Sequence, residues 1–234
     1  MARAPRLALA GELHYVMQRG HNRQRVFVDD QDRQAYLTML QEAAAQHGVA
    51  VHAYALLEVG VHLLATPRQA ESLSRTMQSL GRRFVAASNR RHQRSGTLWE
   101  GRFRAGLVDG DTLGLDAVLL VESQPVLTGL VTAASDWPWS SAQHHLGRRR
   151  DPLVTEHGAY WRLGNTPFER EHAFTLKLED ALPLATVRSI EHAALRGGVA
   201  GSNTYTARIE GRTGRALRAQ PRGRPPAQVP SHED

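Results

Sequence analysis

The alternation of apolar and polar residues predicts a strand followed by a helix at the start of the chain. A loosely alternating stretch that stops at Gly20 predicts a first strand near residues 13–18. Apolar residues then recur at helical spacing, which predicts a helix. Asp29 or Asp30 has the side chain to cap the start of this helix, and Gly48 is suited to end it.

The next two elements predicted are a strand pair and an amphipathic helix. Residues 49–66 are mostly apolar and predict one strand, or two strands with a kink near 58–60. Residues 71–91 predict a helix whose inner stripe consists of Leu73, Met77, Leu80, Phe84 and Ala87. Residues 96–108, GTLWEGRFRAGLV, predict a further strand or hairpin.

The second half of the chain predicts mainly helices. One helix follows Asp111, which is a candidate cap. Another starts at Thr166 and Glu169, which have the spacing of a capping box, with Pro167 at the first helical position. Residues 185–198 predict a short helix.

This order of elements predicts an α+β fold, a ferredoxin-like antiparallel sheet with helices packed on one face. We expect this domain to span residues 1–147. A small helical region over 148–212 follows it. Residues 213–234 are rich in Arg, Pro and Gly and are predicted to be disordered.

Composition narrows the class of protein. The chain has 234 residues, of which 41% are hydrophobic, enough for one core and a small appendage. It has no cysteine, which excludes disulfides and thiolate metal sites and fits a cytoplasmic protein. No signal peptide is evident, and no apolar run is long enough to cross a membrane.

The positive charge is concentrated in one segment. The net charge is +6, yet residues 68–104 alone carry nine arginines against two glutamates. On the predicted helix 71–91, arginines recur every seven residues and so share its outer side. Guanidinium groups match phosphate oxygens, so the cluster predicts a polyanion such as DNA, with a merely solvated surface as the alternative.

A single histidine raises the question of a metal site. His62 lies in an apolar strand, two residues after Gly60. A second imidazole at position 60 would face the same way, because side chains alternate along a strand. Taken alone, His62 is more often an ordinary strand histidine than a ligand.

Several blocks of sequence resemble the single-tyrosine HUH transposases of insertion sequences, most closely their REP-associated branch. They cover roughly residues 5 to 147 and read VMQRGHNRQRVFVDDQDRQAYL, HAYALLEVGVHLL, LSRTMQSLGRRF, GTLWEGRFRA, QPVLTGLV and WPWSSAQ. In that family two histidines hold a divalent metal, Mg²⁺ or Mn²⁺. A tyrosine attacks the scissile phosphate of single-stranded DNA and forms a 5′-phosphotyrosine link.

The resemblance implies that the catalytic positions have changed in this chain. The family's first histidine falls on Gly60 and its tyrosine on Leu120, so only His62 remains, as a relic ligand. Metal binding is therefore expected to be weak or absent. Three other side chains are candidate replacement ligands: His14, His52 and Glu58. His52 and Glu58 are too far from His62 along an extended strand, unless the kink near 58–60 folds Glu58 back, and the sequence does not place the His14 side chain. Replacement is possible but not the favoured interpretation.

Candidate DNA contacts come from three regions. In the family, the loop 19–25 lies near the DNA. PRGRPP at 221–226 matches the core of an AT-hook, which binds the minor groove, and generic affinity for phosphate is the alternative interpretation of this segment. Trp99 has a base-stacking ring, but core packing is the favoured interpretation. The predicted contacts are Arg19, Asn22, Arg23, Arg75, Arg82, Arg83, Arg90, Arg102, Arg104, Arg222 and Arg224.

The sequence leaves three functional hypotheses. The first is a DNA-binding protein that recognises single-stranded or hairpin DNA with impaired or no strand cleavage. The second is an active metal-dependent transposase that uses recruited residues. The third is a decaying gene product without a role. The oligomeric state is not predicted.

Overall fold

The computed structural model describes residues 6–217, and these form one five-stranded sheet with helices. The strands are β1 (Leu13–Arg19), β2 (Val49–Leu57), β3 (Gly60–Pro67), β4 (Arg104–Val108) and β5 (Val199–Ala200). Their order across the sheet is β2-β3-β1-β4-β5. The first four strands pair antiparallel in ferredoxin-like order, which confirms the prediction, and β5 adds to β4 in parallel.

The described helices alternate with strands in the first half and follow one another in the second. They are α1 (Asp30–His47), α2 (Ser72–Arg91), α3 (Gly114–Glu122), α4 (Gln124–Leu127), α5 (Ala142–His145), α6 (Gly158–Trp161), α7 (Pro167–Glu179), α8 (Leu184–Arg196) and α9 (Asn203–Thr213). The order up to β4 is βαββαβ, as the hydrophobic pattern predicts.

Helices cover both faces of the sheet, so the prediction of one covered face was wrong. On one face, α1 and α2 pack over Val16, Val61 and Leu63. On the other face, residues of α3 and α8 pack with Tyr15 and Leu64. Alternate residues of the central strands are apolar on both sides, and a sheet of that kind needs two covering layers.

Several predicted helix ends are confirmed. The Asp29 side chain accepts a hydrogen bond from the backbone N–H of Asp32 at the start of α1, and Gly48 ends the helix with a φ of 68°. Thr166 and Glu169 form the capping box of α7, with Pro167 in its first turn. The kink near 58–60 is the turn between β2 and β3.

Other local predictions were wrong. Asp111 does not cap α3, because the cap position is Leu113 and its side chain makes no cap hydrogen bond. The predicted strand 96–108 is regular only from Arg104 onwards, and before it a single bridge joins Trp99 to Gly20. Of the segment 213–234 predicted to be disordered, residues 213–217 are described: α9 extends to Thr213, and the backbone N–H of Leu217 donates to Glu210. Residues 218–234 lie outside the described part of the chain.

The C-terminal helices lie against the sheet. A Cβ atom at Gly106 of β4 would lie 2.4 Å from the backbone carbon of Ala193, so α8 sits directly on β4. The boundary predicted at residue 147 stays a prediction. In the described part of the chain, no helix combines the length and the apolar character that a membrane span requires.

Candidate nucleic-acid interface

The strand register places position 60 and His62 on one face of the sheet. Gly60 pairs with Arg19 of β1, and His62 pairs with Met17. His62 is 8% exposed and lies on the face that α3 and α8 cover. Burial lowers the pKa of its imidazole to about 3, and the nearby Arg19 guanidinium lowers it further in the same direction. The ring is therefore neutral near pH 7.

A tyrosine that sequence reasoning did not single out contacts this imidazole. The hydroxyl of Tyr15 and Nδ1 of His62 form a hydrogen bond of 2.6 Å, which leaves Nε2 as the remaining ring nitrogen. Tyr15 is fully buried, and burial together with the Glu191 carboxylate of α8 raises the pKa of its phenol. This phenol is held protonated, which makes it a poor nucleophile as it stands.

Leu120 occupies the layer above the same face. It is fully buried on α3, in the apolar cluster that also contains Tyr15 and Leu64. Positions 60, 62 and 120 therefore lie on one side of the sheet. The chemistry present there is one neutral imidazole and one phenol, surrounded by apolar side chains.

The three side chains weighed as replacement ligands have other partners. The Nδ1–H of His14 donates a hydrogen bond to the backbone oxygen of Glu12 at 2.7 Å. His52 contacts the backbone oxygen of Thr155 and the hydroxyl of Thr66, toward the other end of β3. Glu58 lies in the exposed β2–β3 turn and pairs with Arg25 at 3.1 Å.

Gly60 is also tightly enclosed by backbone. A Cβ atom at this position would lie 2.8 Å from the carbonyl oxygen of Gln18, closer than real Cβ contacts allow. Any side chain at position 60, histidine included, therefore requires β1 and β3 to move apart locally.

The loop after β1 is exposed and held in a strained conformation. Asn22 and Arg23 have φ values of 49° and 56°, in the left-handed region. The loop is tied down at its base, where the backbone N–H of His21 donates to Leu98 (2.9 Å) and Arg94 donates to Gln24 (2.9 Å). Strain of this kind persists where surrounding structure fixes it, and it is concentrated at functional sites.

Three of the predicted arginines meet at the end of the sheet where β1 ends and β4 begins. Arg19, Arg102 and Arg104 line a small cleft of about 90 Å³ together with Glu100. The loop 19–25 and the Gly60 end of β3 lie at this same end, which we call the arginine end of the sheet.

The arginines of α2 lie on the opposite face from His62, because α2 packs with α1. Arg75 pairs with Glu71 at 3.6 Å, and Arg83 pairs with Glu42 of α1. The remaining predicted contacts on this helix, Arg82 and Arg90, are exposed and form no ion pair with described residues. The predicted arginines therefore form two surfaces, and Arg222 and Arg224 lie outside the described residues.

The tryptophan predictions are confirmed. Trp99 is 6% exposed and packs among Tyr36 and Phe84, so it belongs to the core and is not placed to stack on a base. Trp139 packs at the edge of the same cluster, and Trp137 donates to the backbone oxygen of Leu56 at 3.0 Å.

Comparison with known proteins bears on the fold and on a family resemblance. A family model described as "Transposase IS200 like" matches residues 10–116, which include the whole βαββαβ unit. This part of the chain is similar to that family. A solved REP-associated tyrosine transposase bound to a REP hairpin has the same fold: TM-score 0.55, 18% identity, with 66% of this chain and 91% of that chain covered.

A second solved structure, described as a transposase from Deinococcus radiodurans R1, has 20% identity and a TM-score of 0.36, with 48% of this chain and 91% of that one covered. No curated protein sequence matches the chain.

The metal used by IS200-like transposases does not fit the donor set of this chain. In residues 6–217 no group of three or more His, Asp or Glu side chains is arranged to hold a metal ion. His62 offers one nitrogen, and its neighbour at position 60 has no side chain. Tight divalent sites in proteins need several converging ligands, so we assign no metal-dependent step to these residues.

Proposed function

We propose that this chain is a member of the IS200-like transposase family that binds single-stranded or hairpin DNA in a transposition-related role, with strand cleavage impaired or lost. One observation carries the proposal: Arg19 at the end of β1 lines one cleft together with Arg102 and Arg104 at the start of β4, beside the Gly60 end of β3. The REP hairpin in the related solved structure supports DNA as the partner.

Electrostatics supports a phosphate-binding role for the arginine end. No carboxylate among the described residues forms an ion pair with Arg19, Arg102 or Arg104, although Glu100 is close. Guanidinium groups that are not neutralised are available to bind phosphate oxygens. Arg82 and Arg90 are proposed as additional contacts from the other surface. Arg75 and Arg83 would first have to exchange their glutamate partners, so we expect smaller contributions from them.

Impaired cleavage is supported by the surroundings of His62. A single buried imidazole with no second ligand converging on it is a weak metal site, and Leu120 supplies no nucleophile. The alternative, an active transposase with recruited residues, rests on Tyr15, the one phenol beside His62. Its complete burial and raised pKa both oppose attack on a phosphate in this conformation.

The proposal is tested by the salt dependence of DNA affinity. We expect log K for a single-stranded hairpin oligonucleotide to fall linearly with log salt, because phosphate contacts release counterions. Arg102→Gln combined with Arg104→Gln should flatten the slope by about 1.4, at about 0.7 per phosphate contact on a single strand.

The control is Arg162→Gln combined with Arg188→Gln, which removes the same charge from exposed positions outside the cleft. The control should retain the slope of the unsubstituted protein. Equal slopes in both double variants would show that the cleft is not the DNA site. A slope near zero for the unsubstituted protein would refute the DNA-binding proposal itself.

A further inference from the structure

A second basic cleft lies beside the first and is completed by the C-terminal part of the chain. It has a volume of about 210 Å³. Four segments line it: the approach to β1, the start of β4, the end of α8 and the segment that follows α9. Each contributes arginine side chains, which are Arg6, Arg102, Arg104, Arg196 and Arg215.

The charge of this cleft is of one sign. No aspartate or glutamate among the described residues lines it. Arg102, Arg104 and Arg196 are exposed, and none of them forms an ion pair with a described carboxylate. On α2, by contrast, Arg75 and Arg83 both have glutamate partners. Like charges such as Arg102, Arg104 and Arg196 repel one another when they are held close together, and a bound anion relieves that repulsion.

The walls of the cleft are rigid. The guanidinium of Arg6 donates to the backbone oxygen of Phe103 at 3.0 and 3.2 Å and stacks over the Phe103 ring at 3.9 Å. The absence of a side chain at Gly106 lets α8 sit against β4, and this fixes Arg196 relative to Arg104. An anion site of fixed geometry loses less entropy on binding than one built from mobile side chains.

We infer that this cleft binds a phosphate group of a DNA strand, and that the end of α8 supplies a DNA contact from outside the family-matched residues 10–116. Arg102 and Arg104 line both clefts, so the two are continuous. A strand that enters at Arg19, beside the Gly60 end of β3, can therefore continue to Arg196. This inference rests on the proposed DNA-binding function and names a further contact within it.

Arg196 is the residue that tests the inference, because it is exposed and lies outside the first cleft. We expect Arg196→Gln to flatten the salt slope for a single-stranded oligonucleotide by about 0.7, the loss of one phosphate contact. Arg196→Lys should restore most of the slope by keeping the charge. Arg188→Gln, on the same helix but away from the cleft, should leave the slope unchanged. Thermal melts establish that all variants are folded.

Oligonucleotides with and without a 5′-phosphate distinguish two sources of the phosphate. If Arg196→Gln weakens binding of both probes alike, the cleft holds an internal phosphodiester. If only the 5′-phosphorylated probe loses affinity, the cleft holds a terminal phosphate.

Two results would overturn the inference. One is an unchanged slope in Arg196→Gln while the Arg102→Gln, Arg104→Gln variant still shows its effect, which would leave the proposed function intact. The other is an equal effect of Arg188→Gln, which would show that the salt slope depends on the net charge of the protein and not on this cleft. Failure of the unsubstituted protein to bind DNA would instead remove the proposed function with it.

Discussion

At the scale of single residues, the surroundings of His62 show a neutral imidazole that bonds to Tyr15 and has no second metal ligand beside it. The sequence predicts that positions 60 and 62 share a face, because strand periodicity alone determines this. It does not predict the bond to Tyr15, which lies 47 residues away and meets His62 only through the register of β1 on β3. A partner that depends on tertiary register leaves no local pattern in the sequence.

The buried histidines should make the protein sensitive to acid. Burial lowers the pKa of His62 to about 3, while the ordinary value in an unfolded chain is 6.5. Between these values the unfolded state binds a proton that the folded state does not. The free energy of unfolding therefore falls as the pH drops below 6.5, by about 1.4 kcal/mol per pH unit for this residue.

His14 and His52, whose pKa values burial lowers to about 4, add to the same slope. Urea titrations between pH 7 and pH 4.5 measure it. His62→Gln should reduce the slope, and His172→Gln, which removes an exposed histidine, serves as the control. If His62→Gln and His172→Gln give the same pH dependence, the imidazole of His62 is not buried as described.

A substitution at Gly60 tests how tightly β1 and β3 approach. Gly60→Ala places a Cβ atom 2.8 Å from the Gln18 oxygen and should lower the free energy of unfolding by about 1–3 kcal/mol. Gly81→Ala is the matched control, because no atom lies within 4 Å of the new Cβ in the middle of α2. It should stabilise the protein by about 0.5–1 kcal/mol. If Gly60→Ala and Gly81→Ala both stabilise the protein, β1 and β3 do not approach each other as closely at position 60 as described.

At the scale of elements, the sequence predicts the long helices and strands and misses the short or tertiary features. Apolar periodicity predicts α1 and α2, and capping residues predict the starts of α1 and α7; each of these helices spans three or more turns. The two-residue strand β5 is too short to show any periodicity. The sequence also identifies α8 as a helix but not its position on β4, which brings Arg196 to Arg104.

The loop after β1 offers a prediction that separates backbone strain from charge. Arg23→Gly and Arg23→Ala remove the same guanidinium, but only glycine adopts the left-handed conformation without cost. We expect the glycine variant to be about 1 kcal/mol more stable than the alanine variant in chemical denaturation. Their DNA affinities should be reduced equally. Equal stabilities would mean that Arg23 is not held at a positive φ.

At the scale of the whole molecule, the family resemblance predicts the fold well, whereas the charge pattern predicts the DNA-binding surface only in part. Contiguous residues carry both the resemblance to IS200-like transposases and the βαββαβ order, so both can be read from the sequence. The clustering of arginine over 68–104 predicts a DNA surface, yet folding divides these arginines between α2 and the arginine end of the sheet. Only the folded chain shows that the arginine end is the surface next to His62.

The central claim, DNA binding without cleavage, is tested most directly by one gel experiment on the unsubstituted protein. A labelled single-stranded hairpin oligonucleotide is incubated with the protein and Mg²⁺ or Mn²⁺, and each sample is run on native and on denaturing gels. We predict a shifted complex on the native gel that disappears completely on denaturation, with the oligonucleotide intact. A divalent-dependent protein–DNA band that survives denaturation and maps to a tyrosine would contradict the account.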